Sequence, residues 1–256
     1  MNIAVITGAS SGIGREFARA IAKNGNFDEM WLIARREDKL REAAAELGVP
    51  CKVVSMDLTS PSSLEQYEKL LLEEKPVIKT LVNAGGFGKF GHHTAVKIGE
   101  SLNMIDLNCK ALLAVTELSL PYLAEGAEVY QLGSLSSFQP VPYLNTYAAT
   151  KAFVLSYTRG LKRELRHRKI KMMAVCPGWV KTDFFDRAAT ADSDAVTYFN
   201  RMYTADAVVK TALKDMRRGR DVSIHGLPVK MQVLAVKLLP HSLVMKIWLK
   251  QQKHDK

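Results

Sequence analysis

Two side chains in this sequence have the types and spacing of a proton-transfer pair. Tyr147 and Lys151 lie four residues apart in Asn145-Thr146-Tyr147-Ala148-Ala149-Thr150-Lys151, so a helix would put them on one face. An ammonium beside a phenol favours the phenolate. The expected effect is a tyrosine pKa drawn down from about 10 toward neutrality, where it can exchange a proton with a substrate oxygen. Just upstream, Ser134, Ser136 and Ser137 offer hydroxyls at the end of an apolar run, before a loop broken by Pro140 and Pro142. Tyr-x-x-x-Lys occurs by chance on many exposed helices, so its meaning depends on what the rest of the chain brings to it.

A second set has the chemistry of phosphate binding. Thr7-Gly8-Ala9-Ser10-Ser11-Gly12-Ile13-Gly14 follows the apolar run Ile3-Ala4-Val5-Ile6 and precedes a helical pattern with Ile13, Phe17, Ala20 and Ile21 on one face. Glycines at Gly8, Gly12 and Gly14 let backbone approach a diphosphate. The helix start, with Ser10, Ser11 and Ile13, offers free N–H groups to its charge. The spacing is Gly-x-x-x-Gly-x-Gly, and a plain tight turn is the bland alternative.

The second apolar run, Met30-Trp31-Leu32-Ile33-Ala34, ends at Arg35-Arg36. An acid at this tip would hold a ribose 2′-hydroxyl, whereas arginine suits a 2′-phosphate. NADP is therefore expected over NAD, the alternative being two arginines that merely start a solvated helix. Asp57 and Leu58 end the third run, Cys51–Met56, where Asp57 is placed to accept from an adenine amino group or to cap a turn. Asn83-Ala84-Gly85-Gly86 ends the fourth, and its small residues leave room for a cofactor. Asn108 falls in the middle of a helix expected over about Gly99 to Tyr122, where asparagine is unfavourable without a task. Pro177, Gly178, Val180 and Thr182 follow the sixth run. An irregular aromatic-rich segment from Asp183 to Thr204 reads as a lid.

These elements alternate strand and helix. Strands are expected at residues 3–6, 30–34, 51–56, 80–82, 128–132, 170–175 and 221–224. The pattern is one α/β domain, a Rossmann-type doubly wound sheet of about seven parallel strands. Every polar signature falls at a strand's C-terminal end, where such sheets bind ligands. A chain of 256 residues can bury this as one unit.

Net charge is +10. The basic residues are spread over many helices, without an aromatic-interleaved stripe, so no nucleic-acid partner is expected; a basic mouth for an anionic cofactor or substrate is. Cys51, Cys109 and Cys176 read as free thiols, and His92-His93 as surface residues, so no metal is expected. The start has no signal-peptide pattern, and a cytoplasmic location is the expectation.

Together the motifs over residues 1–226 resemble the short-chain dehydrogenase/reductase family. Thr7–Gly14 is similar to its cofactor turn, Asn83-Ala84-Gly85 to its Asn-Ala-Gly signature, and Pro177-Gly178 with Thr182 to its motif beside the nicotinamide amide. Asn108, Ser134, Tyr147 and Lys151 match its tetrad; the family's serine lies about thirteen residues before the tyrosine, which selects Ser134 over Ser136 and Ser137. The resemblance implies hydride transfer between a nicotinamide and a carbonyl carbon, with Tyr147 as acid or base. Ser134 would polarise the carbonyl, Lys151 would bind the nicotinamide ribose and lower the tyrosine pKa, and Asn108 would hold a water that relays protons. It also implies an alcohol or ketone substrate and a homodimer or homotetramer. The Tyr–Lys spacing disfavours C=C reduction. The lid's aromatics favour an apolar substrate, such as a hydroxysteroid or acyl-chain ketone. A sugar or small-alcohol dehydrogenase and a non-catalytic NADP-binding regulator are the alternatives.

Residues 227–256 extend past the last expected strand as a C-terminal amphipathic helical extension. Leu243, Ile247 and Trp248 fit one face, with Lys246, Lys250 and Lys253 elsewhere. The extension is expected to pack on this subunit or a partner's, capping the pocket; peripheral contact with anionic membrane lipid is the sharper alternative.

Overall fold

Residues 1–25, 27–188, 195–199 and 201–254 are described by a computed structural model. The strands are β1 (Asn2–Thr7), β2 (Glu29–Ala34), β3 (Cys51–Ser55), β4 (Val77–Asn83), β5 (Leu123–Leu132), β6 (Lys171–Val175), the short β7 (Trp179–Val180) and β8 (Met202–Tyr203), and β9 (Val222–Ser223). Seven form one parallel sheet in the order β3-β2-β1-β4-β5-β6-β9. Between them run helices α1 (Gly12–Asn24), α2 (Glu37–Ala45), α3 (Pro61–Glu74), α4 (Ile98–Ile105), α5 (Leu112–Ser119), α6 (Asn145–Glu164), α7 (Phe184–Ala188), α8 (Ala205–Arg217), α9 (Leu227–Leu238) and α10 (His241–Gln251).

The apolar runs become central strands because both faces of a parallel sheet are covered. Along β1, Ala4 and Ile6 point to one core, with Met30 and Leu32 of β2 and with Phe17, Leu40 and Ala212 from α1, α2 and α8. Ile3 and Val5 point to the other, with Trp31, Ile33 and, from α3, α5 and α6, Tyr67, Val115 and Leu161. The result is a three-layer α/β sandwich, as the alternating pattern requires.

Strand order reverses at β1, between β2 and β4. The ends of these strands lie flush, Thr7 beside both Ile33 and Asn83. A crevice opens beyond their C-terminal ends, the usual ligand site of such sheets.

Three expectations need correction. The long helix over 99–122 is broken: α4 gives way to a π-helical turn at Asp106–Ala111, then to α5 and a 3₁₀ turn at Leu120–Tyr122. The π turn centres on Asn108, which is buried and hydrogen-bonded out of the helix, and such insertions favour functional positions. The segment 183–204 is not simply irregular. It contains α7, and β8 pairs with β7 in a small second sheet; residues 189–194 and Asn200 lie outside the described residues. In α10, Leu243 and Ile247 do not share the inward face with Trp248: they are exposed, while Val244 is buried and Trp248 half-buried.

Candidate active site

The glycine turn is built so that only glycine fits. Gly8 has φ +69°, and a Cβ there would lie 2.7 Å from the Gly85 nitrogen. A Cβ on Gly14 would collide with the Gly8 carbonyl oxygen, and Gly12 has φ +55°. Ser11 precedes α1 without capping it, and the first turn carries no acid. The helix thus keeps free N–H groups and an uncompensated positive end at the crevice, which fits a diphosphate. Gly8, Ser10, Ser11, Gly12, Ile13 and Gly14 line one cleft of about 630 Å³ with Ala84, Gly85, Pro177, Gly178, Val180 and Thr182. Asn83 does not line it. Its amide donates to Thr116 Oγ1 at 3.0 Å and its Oδ1 accepts from Thr7 Oγ1 at 3.4 Å. Expected to touch the cofactor, it ties the ends of β1 and β4 to α5 instead.

At the far end of the cleft, Arg36 Nη2 donates to Ser11 Oγ at 3.0 Å and approaches Ser10 Oγ at 3.4 Å. Arg35 faces Asp57 at 3.8 Å. Burial works to raise the Asp57 pKa, but hydrogen bonds from the Thr59 backbone and hydroxyl, with Arg35 and Arg187 nearby, hold it below the ordinary value. Asp57 and Leu58 both line the cleft. So does Arg187, whose guanidinium lies 3.4 Å from the centre of the Phe87 ring and donates to Asn103 Oδ1 at 3.2 Å. Its pKa is lowered by burial and then by Arg35. Ser10, Ser11, Arg35 and Arg36 make a donor-rich corner that suits an anionic group beside the adenosine end of a dinucleotide.

The reacting corner is set by the turn before α6. Tyr143 has φ +67° in Val141-Pro142-Tyr143-Leu144, closed by Leu144 N–H to Val141 O at 3.0 Å. Glycine usually fills this position, and a bulky residue there costs on the order of 1 kcal/mol. The tail holds the turn: Trp248 Nε1 donates to Pro142 O at 3.0 Å, and the Tyr143 and His254 rings lie 4.5 Å apart.

Beyond this turn, Tyr147 and Lys151 share the inward face of α6. Tyr147 and Ser134 both line the cleft, with the serine hydroxyl beside the phenol. Ser134 also accepts from Ser136 N at 3.1 Å. The other serines are engaged otherwise: Ser137 Oγ accepts from the Ser134 N–H, and Ser136 lines a side chamber. Lys151 is buried, and its Nζ donates to Leu132 O at 2.7 Å, 5.7 Å from the Tyr147 ring centre. Asn108 accepts from Phe87 N at 3.0 Å and donates to Phe87 O at 2.8 Å and Thr150 Oγ1 at 3.0 Å. A Cβ on Gly86 would fall 2.9 Å from Asn108 Oδ1 and 3.3 Å from Lys151 Nζ, so Gly86 keeps these two groups adjacent.

The expected pKa depression of Tyr147 is not found. Burial pushes the phenol up to about 12, with the Ser134 hydrogen bond acting the other way. Burial also lowers Lys151 to about 8. Desolvation dominates, and the ammonium, 5.7 Å from the ring centre and donating to a backbone carbonyl, does not offset it. The tyrosine is therefore a neutral phenol near neutral pH. The neighbouring thiol Cys176 is likewise driven up by burial, to about 12, and is inert.

Aromatic rings close the corner. Tyr147 and Phe184 lie 5.6 Å apart, and Trp179, Phe185, Phe199 and Phe90 make tilted and edge-on contacts around them. Past Ser134 is a side chamber of about 50 Å³ walled by Leu135, Val141, Leu144, Trp179, Tyr198 and Trp248. Gln139 also lines it, and its Oε1 is buried with no partner among the described residues. The tail secures this wall: Gln252 Oε1 accepts from Thr197 N at 2.9 Å and Tyr198 N at 3.0 Å, and His254 Nε2 donates to Ala195 O at 3.0 Å.

A sequence model of the short chain dehydrogenase family matches residues 2–193. The chain belongs to this family. An uncharacterised oxidoreductase of Staphylococcus epidermidis is 34% identical over 207 residues, covering 77% of this chain and 89% of the relative. A short-chain dehydrogenase from Sphingobium yanoikuyae, solved in complex with NADPH, superposes with a TM-score of 0.81 at 29% identity, over 95% of each chain. A bulky-bulky ketone specific alcohol dehydrogenase from Comamonas testosteroni superposes with a TM-score of 0.76 at 26% identity, over 95% of this chain and 94% of that one.

In this short-chain dehydrogenase, Ser134 and Tyr147 meet at the cleft, while Lys151 and Asn108 stand behind them in the core. Sequence reasoning missed Phe87, Asp183 and Arg187 in the cleft and Gln139 in the chamber. Arg187 had one signal, a cation close after the aromatic pair Phe184-Phe185 at the start of the lid. Gln139 had none beyond its closeness to Ser134.

Proposed function

We propose that this oxidoreductase uses NADP(H) to interconvert a secondary alcohol and a ketone, with Tyr147 as the acid and base. The carrying observation is the pairing of Tyr147 with Ser134 on the wall of a cleft whose other end is a glycine turn. Bound there, a reduced nicotinamide supplies hydride to a carbonyl carbon. Ser134 and Tyr147 hydrogen-bond the substrate oxygen, and the neutral phenol gives it a proton as negative charge develops. Lys151, buried behind Tyr147, would hold the nicotinamide ribose, and a proton from solvent would restore the phenol. The Asn108 amide spends both N–H groups on Phe87 O and Thr150 Oγ1 and accepts from Phe87 N, which holds the π turn that backs Lys151; the second lone pair of its Oδ1 is left for a relay water.

NADP is favoured over NAD by Arg36 on Ser10 and Ser11, with Arg35 beside Asp57. That the Sphingobium relative was solved with NADPH supports this reading. Arg36→Ala is expected to weaken NADPH binding about tenfold or more and leave NADH binding unchanged, read by titrating each cofactor. Equal losses for both would refute the 2′-phosphate contact.

The substrate reading is a ketone on a bulky apolar frame, in keeping with the aromatic lid and with the ketone specificity of the Comamonas relative. A panel pairing bulky apolar ketones with sugar-sized hydroxyketones tests this. Higher kcat/KM for the bulky set is expected; the reverse order favours a sugar or small-alcohol dehydrogenase. The enzyme is expected to act as a homodimer or homotetramer in the cytoplasm, and exposed Leu102, Ile105 and Phe153 on α4 and α6 offer surface for self-association.

A further inference from the structure

The C-terminal helices are apolar on the side that meets solvent. Along α9, Val229, Val233 and Val236 face inward and are buried. Leu227, Met231, Leu234 and Leu238 recur at the spacing of one helical face and are 71%, 56%, 51% and 77% exposed. Leu243 and Ile247 add exposed apolar surface on α10. A surface helix with an apolar stripe on its outer side as well as its inner one calls for something to cover the outer stripe. The charge around this face has one sign. Between Val222 and His254 the sequence has Lys230, Lys237, Lys246, Lys250 and Lys253 and no Asp or Glu, and all five lysines are exposed.

We propose that the outer face of α9 and α10 docks on an anionic lipid surface. The leucine and methionine side chains enter the headgroup–acyl boundary, and the lysines meet the lipid phosphates. Charge separates this occupant from a second copy of the chain. A two-fold contact through this face would set the same lysines against each other, with no carboxylate in the stretch to answer them. The docked helices are also walls of the chamber beside Ser134, through Gln232, Trp248 and Gln251. On the ketone-reductase reading, an apolar substrate would pass from the bilayer to the site across them; the docking itself does not rest on that reading.

The test is co-sedimentation of the full-length protein with vesicles of phosphatidylcholine alone and of phosphatidylcholine with phosphatidylglycerol in equal parts. Binding to the anionic vesicles only, weakened by salt, is expected. A lysine near such a surface is worth about fivefold in partitioning, so Lys230→Gln/Lys246→Gln/Lys250→Gln should bind about a hundredfold more weakly. Leu234→Glu/Leu238→Glu should abolish binding while keeping the circular dichroism and NADPH affinity of the parent. No binding of the parent to either vesicle overturns the proposal. So does a parent dimer that Leu234→Glu/Leu238→Glu splits, which would give the face to a second copy. Turnover plays no part in the readout, so a failed oxidoreductase reading leaves this test intact.

Discussion

Tyr147→Phe should lower kcat and kcat/KM for ketone reduction together, by about 10²–10⁴. The substitution removes one hydroxyl. The ring keeps its packing on Phe184, and the glycine turn that would hold the cofactor is untouched. NADPH affinity should therefore not change, which separates loss of the proton donor from loss of binding. The wild-type pH profile adds a second check. Burial keeps the phenol protonated, with its pKa raised to about 12, so kcat/KM for reduction should show no tyrosine ionisation near neutrality. The first alkaline decline should start near pH 8, where Lys151 loses its charge. A tyrosine ionisation between pH 6 and 7 would mean that the lysine's pull outweighs burial after all.

Lys151→Met should make the protein more stable while making it a poor enzyme. Lys151 is 3% exposed, and burial lowers its ammonium from 10.5 to about 8. That displacement corresponds to ~3 kcal/mol of destabilisation at pH 7. The sign follows from proton counting. Between about 8 and 10.5 the unfolded chain holds a proton that the folded chain has lost, so wild-type stability rises with pH there. Below 8 both states are charged and the full cost applies. Methionine has similar length and no charge, so the variant should gain ~2–3 kcal/mol at pH 7, less the lost bond to Leu132 O. The gain should shrink above pH 8 and vanish by about 10.5. Denaturant unfolding at pH 7 and pH 10 measures it. A variant less stable than wild type at pH 7 would show that the Leu132 bond outweighs the buried charge. Activity should fall about 10- to 100-fold on the proposed reading that Lys151 holds the cofactor ribose.

What the sequence made legible follows from local physics. Each sheet strand is a short apolar run because a parallel sheet is buried on both faces, and the runs are separated by helices with clear faces. The glycine turn was readable because Gly8 and Gly14 sit where any side chain would strike backbone. Tyr147, Lys151 and Ser134 could be named from spacing and family likeness. Their pKa directions could not, because desolvation depends on what packs around α6 from distant segments. The π turn at Asn108 was hidden for a related reason: the bonds to Phe87 and Thr150 that hold it reach 21 and 42 residues along the chain. The tail's grip on residues 195–198 likewise comes from pairs more than 50 residues apart. The apolar outer face of α9 was present in the residue pattern, but only the burial of Val229, Val233 and Val236 tells which side is outer.

The most direct test of the account is product stoichiometry when the wild-type protein, saturated with NADPH, is mixed with a bulky apolar ketone. The expected result is loss of reduced-nicotinamide absorbance matched one-for-one by the secondary alcohol. Tight NADPH binding with no alcohol formed from any ketone would contradict it and would make the chain a nucleotide-binding regulator on a reductase scaffold.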